Sequence, residues 1–582
     1  MRIRRWRGLL MLWGLSLLLS GHGLPEPPRP GDFALLDHTG AFHQLSRYTH
    51  KKALVLISQA NGCSRNHSDR TWYHLLRTTF GTDDVAWAML NASGTDRPEA
   101  VRREAAVYGY DMPVLLDESQ LVAESLGISQ AGQVLIIDPA TRNVHFIGPV
   151  DQVTQTNPAD KITPLGDTLK ELLVGEGSHL GLLEMETEGC ALDFPARDKQ
   201  AADVPDYSTV IAPLIAEKCA NCHRPGGIGT FPLNSHAVVK ALSSTIRQSV
   251  MTKRMPPARV DPHIRRFTNA RYLSAAEEQM LIHWLDAGAP RGDGGEDPLQ
   301  QLKWPDGVWD LGEPDMKVLA PETEIPAEGV LDYLRPVIPL NHDRDVWIRA
   351  IQVRPRYRSV THHVSVLIVP PGYDRATAPP GTAKFMEGYA PGKFSATTFP
   401  AGTGVFLPKG YGMYLSLHYT PNGRAVTEQT EIGLYLHDEP PAKELITSIT
   451  SLRAAALNIP PGVREHKLSM DYLFPEPVIL RAIRPHMHTR GKYMNFRAVL
   501  PDLTVVPLLS VPDYNPDWQP TYRLAEPLLL PAGTRVLVSG AFDNSETKPG
   551  NLDPSATVVG GLQNADEMFV AYFTYTMRDG VR

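Results

Sequence analysis

The sequence has 582 residues, of which 42% are hydrophobic and 21% charged, so it predicts roughly three or four globular domains and excludes a largely disordered chain or a multispan membrane protein. With 57 Lys and Arg against 64 Asp and Glu, its net charge of −7 offers no general electrostatic reason to bind nucleic acid. The 51 Pro and 46 Gly favour many turns and short strands over long helices.

Residues 1–23 have the order of a signal peptide. The basic residues Arg2, Arg4, Arg5 and Arg7 precede a short apolar run that ends near Leu19. An uncleaved membrane anchor is the alternative, although the run is shorter than the ~20 residues that a span needs. No later segment is apolar enough to span a bilayer. The mature chain is therefore predicted to be periplasmic or secreted, without a stable membrane span.

Residues 28–180 alternate predicted buried strands with predicted helices, which indicates an α/β layered domain. Two helical stretches, near 65–80 and 97–107, separate the strands. The strands are predicted at 53–58, 85–90 and 134–138.

This region resembles the thioredoxin and peroxiredoxin superfamily, since a strand ends just before Cys63, a helix follows, and Pro113 precedes another strand. A dithiol oxidoreductase needs a second cysteine three positions after the first, and that position is Asn66 here. Three alternatives stay open. Cys63 is a redox-active thiol, it pairs with Cys190, or the domain is redox-silent.

Residues 181–204 lose periodicity and are predicted to be a linker, and residues 205–295 are predicted to be helical. Cys219 and Cys222 are spaced to hold a haem by two thioether bonds, and the adjacent His223 is placed to coordinate its iron. A structural disulfide or a redox dithiol is the alternative. A later helix is predicted to begin after Ser274, which is a good N-cap residue.

The helical segment resembles small c-type cytochrome domains, which implies an all-α fold with one covalently attached haem c. That resemblance makes Met255, in a Met-Pro-Pro sequence, the expected sixth iron ligand. Met251, His236 and His263 are rivals for this position.

From about residue 305 short alternating segments separated by Pro and Gly continue to the end of the chain, too many for one ordinary sandwich. We expect two all-β domains of the jelly-roll sandwich type, at 305–445 and 446–582. Strands are predicted at 345–351, 364–369, 414–419 and 534–539.

Three groups of histidines fall on these strands. His362 and His363 are adjacent, and adjacent residues of a strand point to opposite faces, so they bind one ion only if the strand ends or twists there. His486 and His488 alternate and share one face, which makes a two-ligand clamp. Imidazole suits copper and zinc, and a thioether partner favours Cu(I). His342, His437 and His466 lack such a pattern and are predicted to be surface or core residues.

With a single His418-Tyr between these pairs and Met568 after them, this region resembles the copper type II, ascorbate-dependent monooxygenases, the family of peptidylglycine hydroxylating monooxygenase and dopamine β-hydroxylase. The resemblance implies two copper ions, the first serving electron transfer and the second activating O2. The first is held by His362, His363 and His418, and the second by the catalytic set His486, His488 and Met568.

The resemblance also implies that Arg484 and Tyr572 hold a substrate carboxylate, although the asparagine expected between them is Val570. A solvated or strand-pairing charge is an equal reading of Arg484. The family's copper domains are rich in disulfides, whereas this chain has no cysteine after Cys222.

Together these features predict an exported dicopper monooxygenase that hydroxylates a C–H bond of a small organic or peptide-like substrate with O2. Electrons would reach copper through the haem c, which itself needs an electron donor. The alternative is a non-catalytic periplasmic copper-binding or redox scaffold protein. A third hypothesis makes the chain a thiol peroxidase through Cys63.

Overall fold

The computed structural model describes residues 29–151, 164–175, 180–225, 227, 229–304, 309–379, 381–390, 393, 395–563 and 565–578. The predicted signal peptide, residues 1–23, lies outside these ranges. Within them, no helix is both long enough and apolar enough to cross a membrane. The described chain is multidomain and mostly β-sheet, with an α/β region first.

The α/β region is built on a six-stranded sheet in the order β5-β4-β3-β7-β8-β9. Strands β3, β4 and β5 are parallel, and β7 is antiparallel to both β3 and β8. Every residue of β3 and β4 is buried, as their continuous apolar sequences predict. The elements are β1 (Ala34–Leu36), β2 (Phe42–Gln44), β3 (Ala53–Gln59), α1 (Ser64–Phe80), β4 (Val85–Asn91), α2 (Pro98–Tyr108), β5 (Val114–Leu116), α3 (Leu121–Ser125), β6 (Gln130–Ala131), β7 (Val134–Ile137), β8 (Val144–Gly148), α4 (Pro164–Leu173) and β9 (Leu183–Glu184).

The segment predicted as a linker is docked on this region instead of crossing free space. Strand β9 extends the sheet beside β8, and β10 (Cys190–Ala191) pairs with β6. Gly189 allows this approach, because a Cβ atom there would lie 2.1 Å from the carbonyl oxygen of Ala131. Its backbone N–H also donates to Gln130 Oε1 at 2.8 Å. The sequence showed no periodicity here because each strand has only two residues.

Residues 195–302 form helices and loops. Two π-helical turns, Tyr207–Ile211 and Ala216–Ala220, lie on either side of α6 (Ala212–Ile215), and the second turn contains Cys219. The predicted helix after Ser274 is present, and Ser274 and Glu277 form a reciprocal capping box. The helices are α5 (Pro195–Ala202), α6 (Ala212–Ile215), α7 (His236–Ala241), α8 (Ser243–Met251) and α9 (Ala275–Asp286).

The first β-domain has two main sheets, β11-β21-β14-β18-β22 with β17 beside β14, and β13-β19-β15-β16. Val364, Val366 and Ile368 alternate into the core between them. Its strands are β11 (Met316–Leu319), β12 (Thr323–Ile325), β13 (Val337–Pro339), β14 (Val346–Arg354), β15 (Thr361–Val369), β16 (Lys384–Tyr389), β17 (Thr397–Thr398), β18 (Thr403–Leu407), β19 (Gly412–Tyr419), β20 (Val426–Glu428), β21 (Glu431–Leu436) and β22 (Lys443–Glu444).

The second β-domain has two four-stranded antiparallel sheets, β23-β32-β26-β29 and β25-β30-β27-β28. Phe496, Phe542 and Phe573 lie in the core between them. Its strands are β23 (Ile446–Ser451), β24 (Asn458–Ile459), β25 (His466–Phe474), β26 (Val478–His486), β27 (Gly491–Val499), β28 (Val505–Val511), β29 (Tyr522–Leu530), β30 (Thr534–Phe542), β31 (Val558–Val559) and β32 (Val570–Met577).

The helical segment packs on both neighbours. The apolar core of the α/β region continues into helices α5–α9, and Ala258, Val260 and Phe267 join the core of the second sandwich. Asp513 of that sandwich accepts from Arg47 at 2.6 Å and also pairs with Arg259. The α/β region, the helices and the second sandwich therefore meet at one junction.

Candidate functional site

His362, His363 and His418 form a cluster at one end of the first sandwich, on the neighbouring strands β15 and β19. Each offers a ring nitrogen, and these atoms all lie within 4.8 Å of one another. His363 is directly opposite His418, and the register shifts between Thr361 and His363. This bulge brings two adjacent histidines to the same place, which the sequence argument required for a shared ion. The Nδ1 atoms of His362 and His363 are 3.1 Å apart.

The donors of this cluster are in the form that binds a metal. Burial lowers the pKa of His418 to about 4, with a further contribution from the neighbouring His362. Burial also lowers the pKa of His362 and, more strongly, that of His363. All three rings are therefore neutral at pH 7, as a metal requires. The Nδ1 atom of His418 is buried and has no hydrogen-bond partner among the described residues.

His486 and His488 form a second cluster at the end of β26. Nδ1 of His486 lies 2.6 Å from Gln519 Oε1, and Nδ1 of His488 lies 3.0 Å from the carbonyl oxygen of Asp566. Since both partners only accept, each Nδ1 carries the proton and each Nε2 is left as a free lone pair. Nε2 of His488 is buried without a partner among the described residues.

The third residue of the predicted second set, Met568, is half-buried just before β32. Its neighbour Glu567 is fully buried and accepts from the backbone N–H groups of His488 and Arg490, at 2.9 and 2.6 Å. Glu567 thus ties the turn after His486 to the segment that carries the methionine.

The two clusters adjoin each other across the boundary between the sandwiches. The ring centroids of His363 and His486 are 6.5 Å apart. Burial lowers the pKa of His486 to about 3, and the neighbouring His488 lowers it further. The five predicted histidine ligands therefore gather at one place, in two sets, with the segment that carries Met568 held beside the second set, and the unpartnered nitrogen atoms of His418 and His488 fit a metal.

Beside the clusters, Arg484 is buried and its Nε has no partner among the described residues. Its guanidinium lies over the rings of Phe385 and Tyr572, with 6.0 and 5.4 Å from Cζ to the ring centroids. Arg484 and Tyr572 are also directly opposite each other on β26 and β32. The two residues predicted to hold a substrate carboxylate therefore contact each other, and Phe385 of the first sandwich lies beside them.

Arg484 has charged neighbours that interact with it electrostatically. Lys393 pairs with the buried Glu387 at 3.0 Å. The positive charge of Lys393, and then that of Arg484, hold the pKa of Glu387 low against its burial. Two cations thus face one carboxylate.

A cavity of about 570 Å³ lies between the helical segment and the two sandwiches, within the usual size of a cofactor site. Its wall includes the four residues predicted to attach and ligate a haem, Cys219, Cys222, His223 and Met255. Nδ1 of His223 lies 2.9 Å from the carbonyl oxygen of Phe231 and donates to it, so Nε2 is the free lone pair. The residues fit a covalently held haem.

Cys219 and Cys222 are not bonded to each other. Burial raises the pKa of Cys219 to about 12, and the proximity of Cys222 adds to this. A redox dithiol needs a thiol with a lowered pKa. In this structure the two thiols are reduced and lack the lowered pKa of a redox dithiol, and haem attachment stays a prediction.

Of Met255 and its three rivals for the sixth ligand position, only Met255 lines the cavity. His236 is held by the carbonyl oxygen of Ala289, at 2.9 Å from Nε2. His263 bridges Asp261 and Glu118. Met251 is buried in the apolar core of the helices.

Cys63 is not a free thiol in this structure. It forms a disulfide with Cys190, 127 residues later, and only 3% of its surface is exposed. The alternative of pairing is therefore the one realised, and the expectations of a redox thiol or a thiol peroxidase at Cys63 need correction for this state.

Several residues of the site were missed from the sequence. Asp566 and Glu567 come directly before Met568, so proximity in sequence could have drawn attention to them. Gln519 carries no such signal, because it lies 33 residues from His486 and meets it only in the folded chain.

No protein-family model matches the chain, and no curated protein matches it. Among solved structures, hypothetical protein SMc02350 from Sinorhizobium meliloti is 23% identical, with 29% of this chain and 95% of that chain covered, at a TM-score of 0.25. Peroxidoxin BcpB from Mycobacterium tuberculosis is 22% identical, covering 21% and 84%, at 0.19. The thioredoxin domain of thiol-disulfide oxidoreductase BVU-2223 from Bacteroides vulgatus is 16% identical, covering 26% and 98%, at 0.20. At these TM-scores the similarities support no conclusion about activity.

Proposed function

We propose that this chain is an exported copper-dependent monooxygenase that inserts one oxygen atom of O2 into a C–H bond, with electrons supplied through a covalently attached haem c. The observation that carries the proposal is the meeting of two histidine sets, partly to fully buried, at the boundary of the sandwiches. All five imidazoles have lowered pKa values, and His418 and His488 each keep a buried ring nitrogen without a partner among the described residues, which a metal would satisfy.

The donor chemistry favours copper. Three imidazoles suit Cu(II) and Zn(II), and a set of two imidazoles with a thioether favours Cu(I). Copper supplies one-electron chemistry with O2 when bound. The histidines of the first set hold one ion, and His486, His488 and Met568 hold the other.

Gln519 and the carbonyl of Asp566 fix which ring nitrogen of the second set faces the metal. This removes the need to reorient either ring when copper binds. Glu567 holds the backbone of the His488 turn in place.

The substrate in this proposal is a small organic or peptide-like molecule with an anionic group. Arg484 and Lys393 carry two positive charges against the one negative charge of Glu387, which leaves one positive charge in excess. Nε of Arg484 lacks an acceptor among the described residues. A substrate carboxylate would satisfy that donor and hold the reacting carbon beside the second histidine set. The aromatic rings of Phe385 and Tyr572 would cover its apolar part.

We propose that the helical segment is a c-type cytochrome domain that binds the haem, with Met255 as the sixth ligand of the iron. Hydroxylation consumes O2, two electrons and two protons, and forms one hydroxyl group and one water. A tethered donor raises the local concentration of the reductant to the ~mM range. An external one-electron donor would then reduce the haem.

The test begins with metal analysis of protein exported by a host that matures c-type cytochromes, after dialysis against free metal. We expect two coppers and one haem per chain. Haem without copper would contradict the monooxygenase and leave the scaffold alternative.

The second stage compares substrate-dependent O2 uptake with carboxylate-bearing candidates. Met568→Ala should abolish uptake while haem reduction stays normal. Met470→Ala, a half-buried methionine elsewhere in the second sandwich, is the matched control. Retained turnover in Met568→Ala would refute the assignment.

A further inference from the structure

We propose that Trp518 and Gln519 form a direct electron path from the haem cavity to His486, which bypasses the three-histidine cluster. The inference rests on the proposed function and deepens it. If the first copper set serves electron transfer, as the sequence predicts, electrons from the haem reach that set and then cross to the second. The loop between β28 and β29 supplies a second route that ends at the second set.

The cavity is separated from the histidine clusters by a thin wall. Arg358, Ser359 and Asp517 line both the haem cavity and a smaller cavity that contains His362 and His488. The wall is therefore made of two chain segments, one from each sandwich.

The segment from the second sandwich presents consecutive residues to the two sites. Trp518 lines the haem cavity together with His223. Its indole Nε1 is buried and has no partner among the described residues, which suits an acceptor on a group inside the cavity. The next residue, Gln519, is buried and turned toward His486.

Gln519 completes the path by a short hydrogen bond. Its Oε1 lies 2.6 Å from Nδ1 of His486, and its Nε2 donates to the carbonyl oxygen of Pro516 at 2.6 Å. The second bond fixes the amide so that oxygen, not nitrogen, faces the imidazole. From the indole to His486 the path therefore crosses one peptide bond, one side chain and one hydrogen bond.

The segment from the first sandwich is longer. From Ser359 an electron must follow the backbone through Val360 and Thr361 before it reaches His362. Covalent and hydrogen-bonded contact is thus closer to the second set than to the first.

In the step itself one electron leaves ferrous haem, which becomes ferric, and cupric copper becomes cuprous. No bond forms or breaks, and the external one-electron donor restores the haem. The chain contributes the contact between the two groups, with Trp518 and Gln519 as positioning residues.

The experiment uses the full chain loaded with haem and copper. Haem is reduced, mixed without O2 with the cupric protein, and its oxidation is followed by the haem absorbance, so no turnover is needed. Trp518→Leu and Gln519→Leu should slow this oxidation by about 10–100-fold, the range expected when an outer-shell contact is lost. Gln519→Glu keeps an acceptor for His486 and should restore the rate. Ser469→Ala, an exposed residue of β25 that lines neither cavity, should leave it unchanged.

Copper content and the haem spectrum of each variant are measured beside the rate, so that a lost ion or a distorted haem is not read as a cut path. His418→Ala gives the decisive comparison, because it empties the first set. Rapid oxidation of haem by the remaining copper is the expected result. If oxidation stops in His418→Ala, or keeps the wild-type rate in both leucine variants, the direct path is wrong. If wild-type protein binds no copper or its haem is never oxidised, the proposed function itself fails.

Discussion

The α/β region and the sandwich boundary each hold a candidate redox site, and the two differ in how far their polar atoms are satisfied. At the first, Cys63 is bonded to Cys190, and the nearby pair of His67 and Glu104 is closed at 3.0 Å. At the second, Nδ1 of His418 and Nε2 of His488 are buried without a partner among the described residues. An unpartnered buried ring nitrogen within a cluster of histidines, more than a reactive residue type, indicates where a metal is expected.

The largest expected effect is the loss of a metal donor. His363→Ala removes one of three nitrogen ligands from a site whose binding free energy is shared among few donors, so copper affinity there should fall about 1,000-fold, or ~4 kcal/mol. Equilibrium dialysis with copper analysis would show one ion per chain instead of two. Two tightly held ions in the variant would mean that the first set is not a metal site.

The disulfide gives the next effect. Changing both Cys63 and Cys190 to serine should lower the stability of the α/β region by about 2–4 kcal/mol, because the bond closes a long loop. Hydrogen exchange of the strands of that region measures the loss without assuming two-state unfolding of a multidomain chain. Haem attachment and copper content should not change. If the variant is as stable as wild type, the disulfide does not stabilise the α/β region. If the variant loses copper, the disulfide and the histidine clusters are not independent sites.

A pH effect is expected where the α/β region meets the helices. Hydrogen bonds to Asp261 and Glu118 raise the pKa of His263 to about 10, from an ordinary value of 6.5. Since the folded pKa is the higher one, this stabilisation is fully present below pH 6.5 and is lost as the pH rises through 10.

Comparing His263→Gln with wild type isolates this contribution. The difference in stability between the two proteins, from thermal melts at several pH values, should shrink between pH 6.5 and 10. A difference that is constant over this range would show that the ion pairs do not act at the junction.

The smallest effect is expected from a satisfied histidine. His437 lies in the same sandwich as the first set, but its Nε2 is held at 3.0 Å by the carbonyl oxygen of Thr403. His437→Gln should leave the copper content unchanged, with a change in stability of at most about 1 kcal/mol from one hydrogen bond. Loss of copper in this variant would show that a hydrogen-bonded ring nitrogen does not distinguish a structural histidine from a metal ligand.

Periodicity and capping predicted the elements that depend on neighbouring residues. The buried strand at Ala53 lies within one residue of its predicted bounds, and the helix begins directly after Ser274 as predicted. The grouping of the histidines was predicted from the resemblance to the copper monooxygenases, because the two-residue repeat alone places His362 and His363 on opposite faces of the strand. The bulge at His362, which the shared ion required, is a finding of the structure.

What the sequence could not predict depends on contacts between distant segments. Cys63 meets Cys190 only because the short strand β10 docks on β6. Gln519 and Trp518 acquire their roles from a loop placed by two neighbouring domains. No local pattern marks such residues, since their partners are chosen by packing.

The wall of the large cavity has a consequence for biogenesis. Cys219 and Cys222 come first in the chain, whereas Arg358, Tyr389 and Trp518 complete the enclosure more than a hundred residues later. Chains emerge from the ribosome with the N-terminal part first, so Cys219 and Cys222 are present before the sandwiches that supply these three residues. Attachment of haem would therefore be an early event of maturation. If it failed, the cavity between the helical segment and the two sandwiches would lack the group that fills it.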